Sequence, residues 1–146
     1  MTDTDFQQMK NDNRIFPGPR AFLVSGYNGQ EVSELSAFLD TLGYNGIPIR
    51  ACGESQLNDT LETVLSSDSP EDPAADGALP HVMVFSGMTS ADVQTVMRGF
   101  SKSGLRRPVF ATTTPTNMTF TLKELLRHLL EEQRAAMAAI QNRQRK

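Results

Sequence analysis

Residues 24–32 read VSGYNGQEV and residues 85–93 read FSGMTSADV. In each phrase an apolar run ends in Ser-Gly, a polar cap residue follows, and a carboxylate stands three positions after the cap. Sliding residues 19–65 forward by 61 positions, without a gap, superposes the two phrases and gives eight identities. They are Pro19 with Pro80, Ser25 with Ser86, Gly26 with Gly87, Val32 with Val93, Gly43 with Gly104, Thr60 with Thr121, Leu61 with Leu122 and Leu65 with Leu126. Each expected strand, helix and cap of the first half lands on its equivalent. The chain therefore reads as a tandem β-α-β-α duplication.

The elements follow from pattern. AFLV (21–24) and VMVF (82–85) are continuous apolar runs, the mark of strands covered on both faces. IPIRA (47–51), with Pro48 and Arg50, suits a sheet edge, and PVFA (108–111) carries proline at its first position. A helical stripe of Val32, Leu35, Leu39 and Leu42 closes at Gly43, and one of Val93, Val96, Met97 and Phe100 closes at Gly104. A shorter helix is expected over about 56–66 and a long one from Thr121 almost to the end. Together these predict an α/β fold: a four-stranded, parallel, doubly wound sheet of order 2-1-3-4 with a long C-terminal helix. A pseudo-twofold axis along the strands would set the first and third helices on opposite faces. Ligands in such sheets occupy the crevice beyond the strand C-termini where the winding reverses. Here that crevice would lie between Gly26-Tyr27-Asn28 and Gly87-Met88-Thr89.

Residues 1–19 end in FPGPR and are expected to form a flexible arm. One domain spans 20–131, its half-repeats 20–66 and 81–131 joined by an acidic, proline-bearing linker at 67–80. Residues 132–146 extend the last helix.

Composition excludes several chemistries. A net charge of -3 spread over 146 residues gives no global field for nucleic acid or anionic lipid. The single cysteine, Cys52, allows neither an intrachain disulfide nor a cysteine-built zinc site, and suits a reducing compartment. His81 and His128 have no partner at metal-binding spacing, so no metal or cofactor is expected. No apolar run reaches the roughly 18–20 residues that span a bilayer, so no membrane insertion is expected. The first residues carry neither a secretory core nor an Arg-rich presequence, which points to the cytoplasm, or to an organelle stroma if a presequence has been removed.

The two turns themselves resemble anion sites, because orphan N–H groups and the helix dipole converge there. Yet Asn28 with Glu31, and Thr89 with Asp92, have capping-box spacing and place a carboxylate where a phosphate would sit. Helix capping is the preferred reading. Ser25 and Ser86 lack the Gly-x-Ser-x-Gly elbow of a nucleophile, and Cys52 has no histidine close in sequence. No catalytic residue is assigned, and the chain reads more as a non-enzyme than as an enzyme. In ATTTPTNMTFTLKELL (111–126), Thr113, Thr114, Thr116 and Asn117 follow the fourth strand, as a polar turn or as ligand groups, and Thr121 with Glu124 caps the last helix.

That helix has about 24 residues and would extend about 36 Å, more than a small four-stranded sheet needs. Its pattern runs on through Ala136, Met137 and Ile140 to a basic end at Arg143, Arg145 and Lys146. Two functional readings follow. The first is a protein-interaction module with an accessory, assembly or regulatory role. It would dock a protein through the C-terminal helix, at Arg134, Met137, Ile140 and Arg143, or through a sheet edge, with self-association open and nucleic acid disfavoured. The alternative is a small-ligand-binding domain or unrecognised enzyme using the crevice. Its ligand or partner candidates are Tyr27, Asn28, Met88, Thr89, Thr113, Thr114 and Asn117.

VMVFSGMTSADV together with ATTTPTNMTFTLKELLRHLLEEQ resembles a family of short α/β proteins known as a domain of unknown function. The likeness lies in a strand ending Phe-Ser-Gly, an acidic helix start, and a closing segment carried here by Thr114, Asn117, Phe120, Thr121, Leu122, Glu124, Leu125 and Leu126. The family's aromatic is commonly tryptophan, so Phe120 departs from the pattern. The likeness covers the second half well and residues 20–65 loosely. It implies the fold and assigns no activity or catalytic residue.

Overall fold

A computed structural model describes residues 15–66 and 79–144. Its elements in chain order are β1 (Ala21–Ser25), α1 (Gly29–Thr41), β2 (Ile49–Ala51), α2 (Leu61–Ser66), β3 (Val82–Ser86), α3 (Ser90–Gly99), β4 (Val109–Thr112) and α4 (Leu122–Gln144). The four strands form one sheet of order β2-β1-β3-β4. The apolar strands take the centre, buried at every position, and the proline-flanked strands take the edges.

The order agrees with the expectation, but the sheet is mixed rather than parallel. β1 pairs parallel with β2 and β3 parallel with β4, each pair joined by a helical crossover, while β1 and β3 run antiparallel. The direction reverses at the junction between the half-repeats, the stretch from β2 to β3 that includes α2. In the central pair Leu23 stands opposite Val84, its own equivalent 61 positions on. Thr60 likewise bridges Thr121, with Leu61 N–H donating to Phe120 C=O at 2.9 Å and Leu122 N–H to Asp59 C=O at 2.8 Å. Equivalent residues meet only on a symmetry axis. The pseudo-twofold therefore passes through Leu23/Val84 and Thr60/Thr121, normal to the sheet rather than along its strands.

A normal axis keeps equivalent helices on one face. α1 and α3 lie together, packing Leu35, Phe38, Leu39, Val93 and Val96 on Phe22, Val24, Met83 and Phe85. α2 and α4 cover the other side, packing Leu61, Val64, Leu122, Leu125 and Leu126 on Ala21, Leu23, Val82 and Val84. The expected placement of the first and third helices on opposite faces is thus corrected. α2 is also shorter than expected: Gln56 ends a 3₁₀ turn, residues 57–59 form a turn, Thr60 bridges Thr121, and Thr60 accepts from Thr63 N–H at 3.2 Å to open the helix.

The arm foreseen over residues 1–19 is described from Ile15 onward, and there it is held. Ile15 bridges Thr89, Phe16 N–H donates to Met88 C=O at 2.8 Å, and Pro17 C=O receives the Thr113 hydroxyl. The expectations for residues 1–14 and for most of the acidic linker, 67–78, fall outside the described residues.

Candidate functional site

Because β1 and β3 run in opposite directions, the two Ser-Gly turns lie at opposite ends of the sheet. Each closes on the entry to the other half-repeat. Ser25 donates to Pro80 C=O at 2.7 Å, and Ser86 to Pro17 C=O at 3.4 Å. Gly26 and Gly87 both adopt positive φ, +86° and +66°. A methyl group on Gly26 would sit 2.8 Å from the Leu79 and Pro80 carbonyl oxygens, and one on Gly87 2.6 Å from Arg20 N. The crevice expected between the turns is therefore not formed.

The residues assigned to it go separate ways. Tyr27 and Met88 are core residues, 3% and 0% exposed. Asn28 and Thr89 close their capping boxes: Asn28 Oδ1 accepts from Glu31 N–H at 2.8 Å, and Thr89 Oγ1 from Asp92 N–H at 3.1 Å. Both carboxylates return the bond to the cap backbone, so each helix satisfies its own first turn. Thr113 is fully buried and bound to Pro17.

Around each cap the opposite half-repeat supplies a base. Asp92 accepts from the Tyr44 hydroxyl at 2.9 Å and faces Arg20 at 3.8 Å. Burial raises its carboxyl, but the hydrogen bonds from Thr89 and Tyr44 and the Arg20 charge outweigh this and hold it below the usual carboxylate range. At the equivalent place Tyr27 packs edge-on against His81, with ring centroids 4.7 Å apart, and donates to Arg106 C=O. Burial, then the nearby Arg106 charge, push the His81 imidazole down against the opposing pull of Glu31. Burial chiefly, aided by Glu31, drives the Tyr27 phenol far above its ordinary value. The unfolded chain releases that proton near pH 10, the folded chain only well above it. Stability is thus full below about pH 10 and falls as the pH rises further. Tyr27→Phe is expected to lose about 1 kcal/mol at neutral pH with its hydrogen bond, and to show a shallower alkaline decline than the parent. Urea midpoints at pH 8 and pH 11 measure both.

The polar stretch after β4 is a turn with a twin. Thr114 N–H donates to Asn117 Oδ1 at 2.7 Å and Asn117 N–H returns the bond to Thr114 Oγ1 at 3.0 Å. At the equivalent place Gly53 N–H donates to Gln56 Oε1 at 3.2 Å. Thr114 and Asn117 still border a groove of about 470 Å³ between β4 and α4, whose far wall carries Phe120 stacked on His128 at 5.3 Å. Of the crevice candidates, these two are brought together.

α4 opens on the expected Thr121–Glu124 box and runs to Gln144. Leu122, Leu125 and Leu126 bury, whereas every residue from Glu131 to Ile140 is exposed. Met137 and Ile140, at 54% and 47%, are two of the three exposed large hydrophobic residues among those described. Arg134 stands on the same exposed stretch; the Arg143 side chain lies outside the described residues.

A second groove, of about 340 Å³, runs along the base of this helix. Leu126 and Leu130 meet Leu57 and Pro80 there, and Lys123, Arg127 and Arg134 stand along it with Glu131. Sequence reasoning missed this groove. The spacing of Lys123 and Arg127 was a usable signal, since residues four apart share a helix face. Leu57 and Pro80 gave none, because tertiary packing alone brings them to α4.

Among the described residues no cluster of three metal-ligating side chains occurs, and no helix is long and apolar enough to cross a membrane. Residues 81–136 match a family described as a domain of unknown function (DUF3783), which bears out the resemblance carried by the second half of the chain. The match extends from the residue before β3 into the exposed part of α4. No curated protein and no solved structure matches the chain.

Proposed function

We propose that this chain is a non-enzymatic interaction module, serving an accessory, assembly or regulatory role by docking a partner protein on the outer turns of α4. The supporting observation is the run of ten exposed residues, Glu131 to Ile140, in which Met137 and Ile140 face solvent. These turns do not contribute to the core, so their apolar side chains lose nothing of the fold when a partner covers them. Burying both would contribute about 2 kcal/mol to association.

Cross-linked co-purification from the native source tests this with the full-length chain and a Met137→Asp/Ile140→Asp variant. The parent is expected to retain a stoichiometric protein partner. The variant is expected to lose it while keeping the parent's melting temperature. Equal retention by both, or a small molecule in place of a protein, would overturn the proposal. A retained small molecule would point to the groove beside β4.

A further inference from the structure

Resting on that reading, we infer that the groove at the base of α4 receives an acidic, apolar-anchored peptide segment of the partner. The floor is apolar and pre-formed: Leu126 and Leu130 of α4 meet Leu57 and Pro80. Its border carries three cations, Lys123, Arg127 and Arg134, against one carboxylate, Glu131. All four are exposed, and among the described residues none of the three cations is held in an ion pair. In a chain of net charge -3, this is a local reversal of sign beside an apolar trough.

Lys123 and Arg134 are eleven residues apart, which spans about 16 Å along a helix. Leu126, Leu130, Met137 and Ile140 follow at intervals of four, seven and three, a single stripe that leads out of the groove onto the exposed turns. A partner helix of three to four turns, with leucine-like residues on one face and Asp or Glu beside them, would cover groove and stripe together.

Charge argues against the other occupants. In a twofold contact between two copies the same patch meets itself, setting Lys123, Arg127 and Arg134 against their own counterparts. A nucleic acid strand would find no aromatic platform for its bases, since the groove is lined by aliphatic and charged residues.

The probe is a displayed library of random 16-residue peptides selected on the immobilised full-length chain. Enriched sequences are expected to combine Asp or Glu with large apolar residues three or four apart. Their fluorescence-anisotropy affinity should fall about tenfold in Arg127→Glu/Arg134→Glu, a doubly exposed change that leaves the melting temperature in place, and should weaken with added salt. Replacing the peptide's acids with lysine should restore binding to that variant.

Neutral or basic winners, or affinity unchanged in the variant, would overturn the inference. So would displacement by single-stranded RNA, or concentration-dependent dimerisation that excludes the peptide. Binding seen only after the acids of residues 67–78 are neutralised would assign the groove to the chain's own linker, and also overturn it. Failure here, with the natural partner still lost on Met137→Asp/Ile140→Asp, would remove the acidic-peptide inference and leave the interaction module standing. If that partner also survives the Met137/Ile140 change, both fall.

Discussion

Gly87→Ala is expected to destabilise the protein by about 3 kcal/mol or more. Two independent costs meet at this residue. Its φ of +66° disfavours any side chain, and the added methyl would lie 2.6 Å from Arg20 N and 2.7 Å from Pro19 C. Those are backbone atoms of the other half-repeat, pinned where β1 begins, so they cannot move aside as a flexible side chain would. Gly29→Ala is the control. Gly29 sits at the first turn of α1 with open space around it, and alanine there should be neutral or slightly stabilising. Urea unfolding should place the Gly87→Ala midpoint well below the parent's and the Gly29→Ala midpoint at or slightly above it. Equal midpoints would mean that the two half-repeats do not approach at Gly87 as described.

Phe85→Ala should cost about 3–5 kcal/mol. The ring is fully buried, meets Phe22 edge-on at 5.8 Å and stacks on Phe110 at 6.0 Å. Phe22 and Phe85 are also direct partners across the antiparallel pair. A double-mutant cycle with Phe22→Ala should therefore return a coupling of about 1 kcal/mol. If β1 and β3 were parallel this register would not exist, so the coupling also tests the strand direction.

That direction was the part of the fold that local pattern could not reveal. A strand covered on both faces reads as an unbroken apolar run whichever way its neighbour points. AFLV and VMVF identify the central strands without orienting them. Strand order was legible because Pro48 and Pro108 mark edges, and the helix starts were legible because a capping box is complete within four residues. Within each half-repeat, β-α-β connectivity forces parallel pairing. Between the halves no such rule acts, and the assumption of a parallel sheet carried the candidate crevice with it. Tyr27 and Met88 were misplaced for that reason: their position after a strand looked like a rim, but each folds under the entry of the opposite half. The overlong final helix was legible from length alone. The groove at its base was half legible, in Lys123 and Arg127 but not in Leu57 or Pro80.

The axis through Leu23/Val84 bears on what one half-repeat amounts to alone. Five of the eight repeated identities belong to the two reciprocal junctions: Pro19/Pro80, Ser25/Ser86 and Gly26/Gly87 at the turns, Thr60/Thr121 and Leu61/Leu122 where α2 and α4 begin. Severed from the first half, β3 would be an open edge with unpaired N–H and C=O groups along its length. A free-standing single repeat would thus be an obligate half, completed by another copy lying antiparallel across the same axis. Here both halves lie on one chain, so their pairing is intramolecular and independent of concentration. Of the two halves, the second carries the long exposed helix.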